Sequence, residues 1–246
     1  MNNLAKIDEL SAKLKTMRPL NETELKRLRD EFIIENTYNS NAIEGNTLTL
    51  RETALILAEG ITIAEKPLRE HLEVIGHRDA FEYVMSLANG STELTEGVIK
   101  DIHSLVLMND VENKGKYRSV PVTIVGAVHT PPQPYDVPVQ MSELISDYEN
   151  MKQGKHIIEA IAEFHLRFEG IHPFIDGNGR TGRLILNLEL VKAGLLPINI
   201  KFADRRTYYD CFDHYYSNGH TADTLVRLIA GYEAEELERH IKMLEG

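Results

Sequence analysis

The chain has 246 residues, 27 of them basic and 38 acidic, for a formal net charge of −11. A 42% hydrophobic and 26% charged composition suits a globular protein with one sizeable core or two small ones, and it excludes wholesale disorder. The acidic balance argues against a general nucleic-acid binder, and the single cysteine, Cys211, excludes an internal disulfide framework and a cysteine-built zinc site. No apolar run reaches the ~18 residues that a membrane span needs. The opening stretch is polar, with Asp8 and Glu9, and does not read as a signal peptide, so the expected location is cytoplasmic.

Helix signals dominate in chain order. Asn21-x-x-Glu24 and Thr49-x-x-Glu52 read as capping boxes, each followed by apolar residues at helical spacing. The first helix carries Leu25, Leu28 and Phe32; the second runs through Leu50, Ala54 and Leu57 to a stop at Gly60. Pro67 opens a long helix through Leu68, Leu72 and Ile75 that ends near Gly90. Further helices are marked by Val98, Ile99, Ile102, Leu105 and Val106, and by Met141, Leu144, Ile145 and Tyr148 after Pro138. Ile157, Ile161, Phe164 and Phe168 mark another, and two more follow, from about Gly179 to Ala193 and from Ala222 onward. Residues 118–139 break the pattern: they are β-branched and proline-rich, centred on Gly126. They predict a short β-hairpin followed by an irregular loop, with Pro121 placing its strand at an edge.

Chemistry concentrates between two of these helices, in His172-Pro-Phe-Ile-Asp-Gly-Asn-Gly-Arg-Thr-Gly-Arg183. Clustered glycines let backbone N–H groups form a concave nest, and the following helix N-terminus adds partial positive charge, so the place favours an anion. Arg180 and Arg183, spaced i, i+3 at the start of that helix, suit a polyphosphate better than a single carboxylate. Asp176 could hold a Mg²⁺ bridging phosphate oxygens, and His172 can accept a proton near neutral pH. Gly177-x-Gly179-x-x-Gly182 also satisfies the dinucleotide fingerprint, with Asp204 near the place of its ribose-binding acid. That motif must follow a buried parallel strand, and the chain offers too few strands for a parallel sheet.

This run resembles the signature of the Fic family, His-x-Phe-x-(Asp/Glu)-Gly-Asn-Gly-Arg-x-x-Arg, with every specified position filled. Residues 116–119, Lys-Tyr-Arg-Ser, and 205–210, Arg-Arg-Thr-Tyr-Tyr-Asp, also look like family features. The resemblance implies an all-α Fic fold with a small β-hairpin flap over the active site. It also implies a protein adenylyltransferase that moves AMP from ATP to a Tyr, Ser or Thr hydroxyl of a target protein or of itself, releasing pyrophosphate. By that resemblance His172 is the general base and Asp176 coordinates Mg²⁺ between the α- and β-phosphates. Gly177, Asn178 and Gly179 supply an N–H anion hole, Arg180 grips the β-phosphate and Arg183 the γ-phosphate. Tyr208, Tyr209 and Tyr216 are candidates for the adenine pocket, Phe174 packs in the core, and the hairpin near residues 118–130 holds the target by pairing with its backbone.

Upstream, Ser40 and Glu44 stand i, i+4 on a short helical turn stopped by Gly45. They resemble the family's inhibitory motif, (Ser/Thr)-x-x-x-Glu-(Gly/Asn), in the subgroup with an N-terminal inhibitory helix, here about residues 36–46. The resemblance implies that Glu44 pairs with Arg183 and blocks productive ATP binding. It divides the chain into an N-terminal helical region, 1–90, and a Fic core with C-terminal helices, 91–246. Alternatives remain open at this point: a de-AMPylase or bifunctional enzyme using Glu44, a kinase or phosphocholine transferase on the same scaffold, or a nucleotide-gated binding module without transfer. A metal hydrolase using His165 and His172 is disfavoured by their spacing across a helix end.

Overall fold

A computed structural model describes residues 2–90 and 92–245. Among the described residues ten α-helices carry the fold: α1 (Asn2–Thr16), α2 (Glu22–Ile43), α3 (Leu50–Glu59), α4 (Leu68–Ala88) and α5 (Glu96–Val106), then α6 (Val137–Gly154), α7 (Ile157–Ile171), α8 (Asn178–Lys192), α9 (Arg205–Ser217) and α10 (Asp223–Glu245). Both predicted capping boxes form. Asn21 and Thr49 each accept a hydrogen bond from the backbone N–H three residues on, while Glu24 and Glu52 reach back to the cap N–H. Gly60 ends α3 in the left-handed conformation, at φ 67°.

α8 is the axis of the molecule. From Arg180 to Leu190 every residue is buried, so this helix is enclosed on all sides, by α2, α4, α5 and α7. Its second half fills the core with Leu184, Ile185, Leu186, Leu188 and Leu190. Its first turns bury polar side chains instead, and that change of character marks the functional end. α7 supplies Ile158, Ile161, Phe164, Leu166 and Phe168 to the same core. α6 and α10 pack on α7, and α1 packs on α10. Where α9 crosses α7, Gly170 permits a close approach: a Cβ there would collide with the Tyr216 ring.

Three expectations are corrected. Residues 36–43 are no separate short turn; they are the end of the continuous 22-residue helix α2, with Glu44 as its cap and Gly45 at φ 94°. The buried face of α2 changes along its length, from Leu28, Phe32 and Ile33 to Asn36, Thr37, Ser40 and Asn41, which hid its continuity from a search for apolar spacing. α9 was not expected, although Tyr208, Cys211, Phe212 and Tyr215 stand at i, i+3, i+4 and i+7. Among the described residues there is no strand, so the β-hairpin does not form as a paired ladder. The turn at its centre is present, with Gly126 at φ 86° and the Ala127 N–H on the Ile124 carbonyl at 3.2 Å. Pro121, Pro131 and Pro132 lack the N–H that a ladder needs. The two ends of the segment are instead held by one guanidinium: Arg118 donates to the carbonyls of Val120 and Pro132 at 3.2 and 2.6 Å.

Candidate active site

The site is built where α7 ends and α8 begins. His172 caps α7 in the left-handed region, φ 50° and ψ 60°, a conformation that side chains other than glycine rarely adopt. The loop that follows is clamped from three sides. Phe174 is fully buried and stacked on His103, ring centroids 3.7 Å apart and planes 4° from parallel. The Asn178 side chain closes on both main-chain groups of Phe174, accepting from its N–H and donating to its carbonyl, each at 2.9 Å. His103 donates from Nε2 to the Asp176 carbonyl at 3.0 Å and accepts the Gly115 N–H on Nδ1 at 2.9 Å, which fixes it as neutral. Burial holds its pKa down to about 4.

This clamp presents the start of α8. The first turn of a helix leaves its N–H groups without intrahelical partners, here those of Asn178, Gly179 and Arg180. The first backbone bond of the helix is Thr181 N–H to the Gly177 carbonyl. The N–H of Gly177 itself is engaged, donating to Asp176 Oδ1 at 2.6 Å. Gly177, at φ 75°, sits so close to Val106 and His103 that a Cβ would lie 3.3 Å from the valine methyl.

A cavity of about 380 Å³ opens over this end of α8. Its walls are Glu44 from α2, Ile124 to Ala127 and His129 from the flap segment, Glu169 and His172 from α7, Gly179 and Arg183 from α8, and Arg205, Tyr208, Tyr209, Phe212 and Asp213 around α9. His172 donates from Nδ1 to the Glu169 carbonyl at 3.3 Å; a carbonyl only accepts, so this tautomer leaves Nε2 with a free lone pair. Burial lowers the pKa of His172, keeping it in its basic form.

Arg183 is engaged from α2. Its Nε donates to Ser40 Oγ at 3.0 Å, and its Nη2 donates to the Ser40 carbonyl and to Glu44 Oε1, each at 2.8 Å. Burial opposes the charge on Arg183, but Glu44 and Tyr208 outweigh it and the pKa is raised. The Glu44 carboxylate lies against Gly179, where a Cβ would collide with Oε1. A negative charge therefore already rests at the helix N-terminus, the place that favours an anion.

The other expected residues are distributed as follows. Arg180 is buried but does not line the cavity; its guanidinium lies 3.5 Å from Asp176 Oδ1 and 3.9 Å from Glu73 Oε1. The Asp176 side chain is 65% exposed, and among the described residues no group of three potential ligands surrounds a metal position. Tyr208 is buried, with its hydroxyl 2.7 Å from His165 Nε2, whereas Tyr209 is 39% exposed and lies beneath Arg205. Tyr216 stays outside the cavity wall, stacked on His129 at 3.8 Å. Sequence reasoning missed His103 and Glu169, and it named Arg118 within residues 116–119 without a role. His103 stands at helical spacing with Ile99, Ile102 and Val106, which marks a buried histidine in need of partners.

Buried titratable groups give the fold a pH optimum. His77, His103 and His165 are held neutral, with pKa values near 3, 4 and 3 against 6.5 when unfolded, in each case first by burial. Below pH 6.5 the unfolded chain takes up protons that the fold refuses, so stability falls as pH drops. Glu169 and Glu233 are pushed up to about 8 by burial, so they keep protons in the fold that the unfolded chain releases above 4.5, and stability falls as pH rises toward 8. Three histidines outweigh two carboxyls below 6.5, and only the carboxyls act above it. The Tm is therefore expected to peak near pH 6.5 in scanning calorimetry, with Glu169→Gln flattening the alkaline arm. A Tm that rises steadily to pH 8 would contradict this balance.

A helical scaffold presents a histidine, an N–H-lined helix start and a buried arginine to one cavity, an arrangement that suits an anion beside a proton acceptor. The sequence profile of the Fic/DOC family matches residues 93–190. A crystal structure of a Fic domain-containing signaling protein from Bacteroides thetaiotaomicron superposes with a TM-score of 0.89 at 31% identity, covering 98% of this chain and 97% of that one. Fic-1 from C. elegans gives a TM-score of 0.84 at 31% identity, over 98% of this chain and 70% of that one. The chain belongs to the Fic family. It is also 40% identical over 212 residues, 84% of its length, to the Protein adenylyltransferase Fic of Nematostella vectensis. It spans about half the length of the curated relatives it matches, 48% in that case. Among the described residues no helix is long and apolar enough to cross a membrane.

Proposed function

We propose that this chain is a protein adenylyltransferase that transfers AMP from ATP to a protein hydroxyl and is held in check by the end of α2. One observation carries the reading: a neutral His172 with its Nε2 free shares a cavity with Arg183 and the start of α8. In the reaction the hydroxyl gives its proton to His172 Nε2 and its oxygen bonds to the α-phosphorus. The bond from that phosphorus to the bridging oxygen breaks, and pyrophosphate leaves with the electron pair. The free N–H groups of Asn178, Gly179 and Arg180 and the Arg183 guanidinium would meet the growing negative charge. Arg180, between Asp176 and Glu73, would grip the β-phosphate.

Asp176 fits Mg²⁺ in one way. A lone exposed carboxylate makes no protein cage, and Asp176 would hold the ion together with phosphate oxygens and water. Bound there, the ion would neutralise phosphate charge. Tyr209 offers a partly exposed ring to the adenine, while buried Tyr208 backs it. The flap segment leaves Val125 98% exposed and its main chain largely unpaired, so an extended stretch of a target protein can pair with it.

Glu44 occupies the arginine and the helix end that the γ-phosphate needs, which supports autoinhibition. Glu44 and His172 also line one cavity, and this favours a second reading of the same site: removal of AMP by a water that Glu44 orients. The test of the main reading uses Glu44→Gly protein with Mg²⁺ and ATP labelled at the α- or the γ-phosphate. Protein-bound α-label that is absent in the His172→Ala double variant is the expected result. Bound γ-label alone would mean a kinase, and no bound label on itself or on lysate proteins would leave a nucleotide-binding module. A Glu44-dependent loss of AMP from labelled protein would establish the reverse reaction.

A further inference from the structure

Arg118 is the largest buried polar investment near the site that the proposed chemistry does not use. Its residue is 5% exposed, and every donor bond it makes goes to a main-chain carbonyl. Nε donates to His172 at 2.8 Å, Nη2 to Pro132 at 2.6 Å and to Ile171 at 3.3 Å, and Nη1 to Val120 at 3.2 Å. Its own N–H donates to the Pro173 carbonyl at 2.9 Å. Burial lowers its pKa and no carboxylate offsets that. A buried cation without a counter-ion works against folding, so four oriented carbonyls are what keeps it there.

The pattern of partners is informative. Val120 and Pro132 are the two ends of the flap, and Ile171 to Pro173 form the turn that carries the base. No ladder holds the flap, so this guanidinium is what ties both its ends to that turn. Only a planar fork with five donors reaches carbonyls in so many directions; a lysine ammonium cannot. The left-handed conformation of His172 is likewise held from outside, by the bond to its carbonyl and the adjoining one to Pro173.

We infer that Arg118 is a positioning residue: it fixes the His172 base and the two ends of the flap in one frame, so that a hydroxyl delivered on the flap meets Nε2. The inference rests on the transfer reading above, since it names what orients that reaction. Arg118 also places positive charge behind the imidazole. His172 is faced in addition by Glu44 of α2, His129 of the flap and Glu169 of its own helix, with Arg183 of α8 and Asp213 of α9 lining the same cavity. Within that set Arg118 pushes His172 toward its neutral form, as His129 does and against Glu44.

The test compares Arg118→Lys and Arg118→Gln in the Glu44→Gly protein, with two readouts. One is the rate of α-label incorporation from ATP. The other is the NMR titration of the His172 ring, assigned by its loss in His172→Ala. Arg118→Lys keeps the charge but loses the fork, so incorporation is expected to fall about 100-fold, as for a misplacement of about 1 Å, with the KM for ATP and the titration midpoint little changed. Arg118→Gln is expected to lose as much and to move the midpoint to higher pH, because a cation behind the ring has gone. Incorporation within about twofold of the parent in Arg118→Lys, or an unmoved midpoint in Arg118→Gln, overturns the inference. Loss of the folded state in both variants by circular dichroism overturns it too, by making Arg118 a stability residue. If the parent takes no label, the transfer reading fails and the midpoint decides alone whether Arg118 sets the state of His172.

Discussion

Glu44→Gly is expected to raise AMP transfer by about 100-fold or more over the unaltered chain. Like charges brought together in a partly desolvated site cost several kcal/mol, and each 1.36 kcal/mol is about tenfold in rate. In the structure the Glu44 carboxylate bonds Arg183 at 2.8 Å and lies on Gly179, so a γ-phosphate directed there meets a negative charge and an arginine already engaged. Glu44→Gln separates the two effects: it keeps the bulk, removes the repulsion and is expected to give part of the gain. A stability effect of opposite sign accompanies the gain. Arg183 is 6% exposed in its side chain, and losing its carboxylate leaves a buried cation with Ser40 alone. Breaking such a pair costs about 3–5 kcal/mol, so Glu44→Gly should melt at a lower temperature without nucleotide and recover when ATP binds. Equal transfer rates in the two proteins would remove Glu44 from any inhibitory role.

His172→Ala, made in the Glu44→Gly protein, is expected to lower kcat by about 10²–10⁴-fold, the range for removal of a general base, with the KM for ATP little changed. The separation follows from the proposed roles: Arg183 and the start of α8 would hold phosphate, whereas the imidazole would meet only the hydroxyl. The pH profile carries the same assignment. Burial lowers the pKa of His172 below the ordinary 6.5, so the proton-accepting form persists to lower pH than for an exposed histidine. Transfer should stay level from pH 8 down past 6.5 and decline only as His172 takes up a proton. A rise in KM alone, or a profile that already declines at pH 7.5, would point to another base.

The local parts of this account were legible from the chain. Capping boxes and apolar spacing located most of the helices, because cap and periodicity are set within a few residues. The twelve-residue run from His172 to Arg183 stood out as the candidate site for the same reason: histidine, acid, glycines and arginines are contiguous. What failed was whatever depends on partners. The hairpin was expected from β-branched residues around Gly126, but strands exist only when main-chain groups find one another, and here prolines and the Arg118 guanidinium take that role. α2 was read as two pieces because its last turns bury Asn36, Thr37, Ser40 and Asn41, which are buried only because α4 and α8 lie against them.

The two signature arginines illustrate the division most clearly. Spacing of i, i+3 put them on one side of α8, and that much follows from helix geometry. How α2 and α4 pack against the helix brings Ser40 and Glu44 to Arg183 and Glu73 to Arg180, whereas Asp176 meets Arg180 locally, from the loop just before α8. The sequence by itself determined the all-helical scaffold, the residue types of the site and the family to which it belongs, since these are written in short, local patterns. The resemblance implied that Glu44 meets Arg183 from 139 residues away, and the packing of α2 on α8 makes that contact; only the tertiary structure decided that His172 keeps Nε2 free and that Arg118 joins the flap to the base. Those contacts come from burial and from hydrogen bonds between distant segments, which no local pattern specifies.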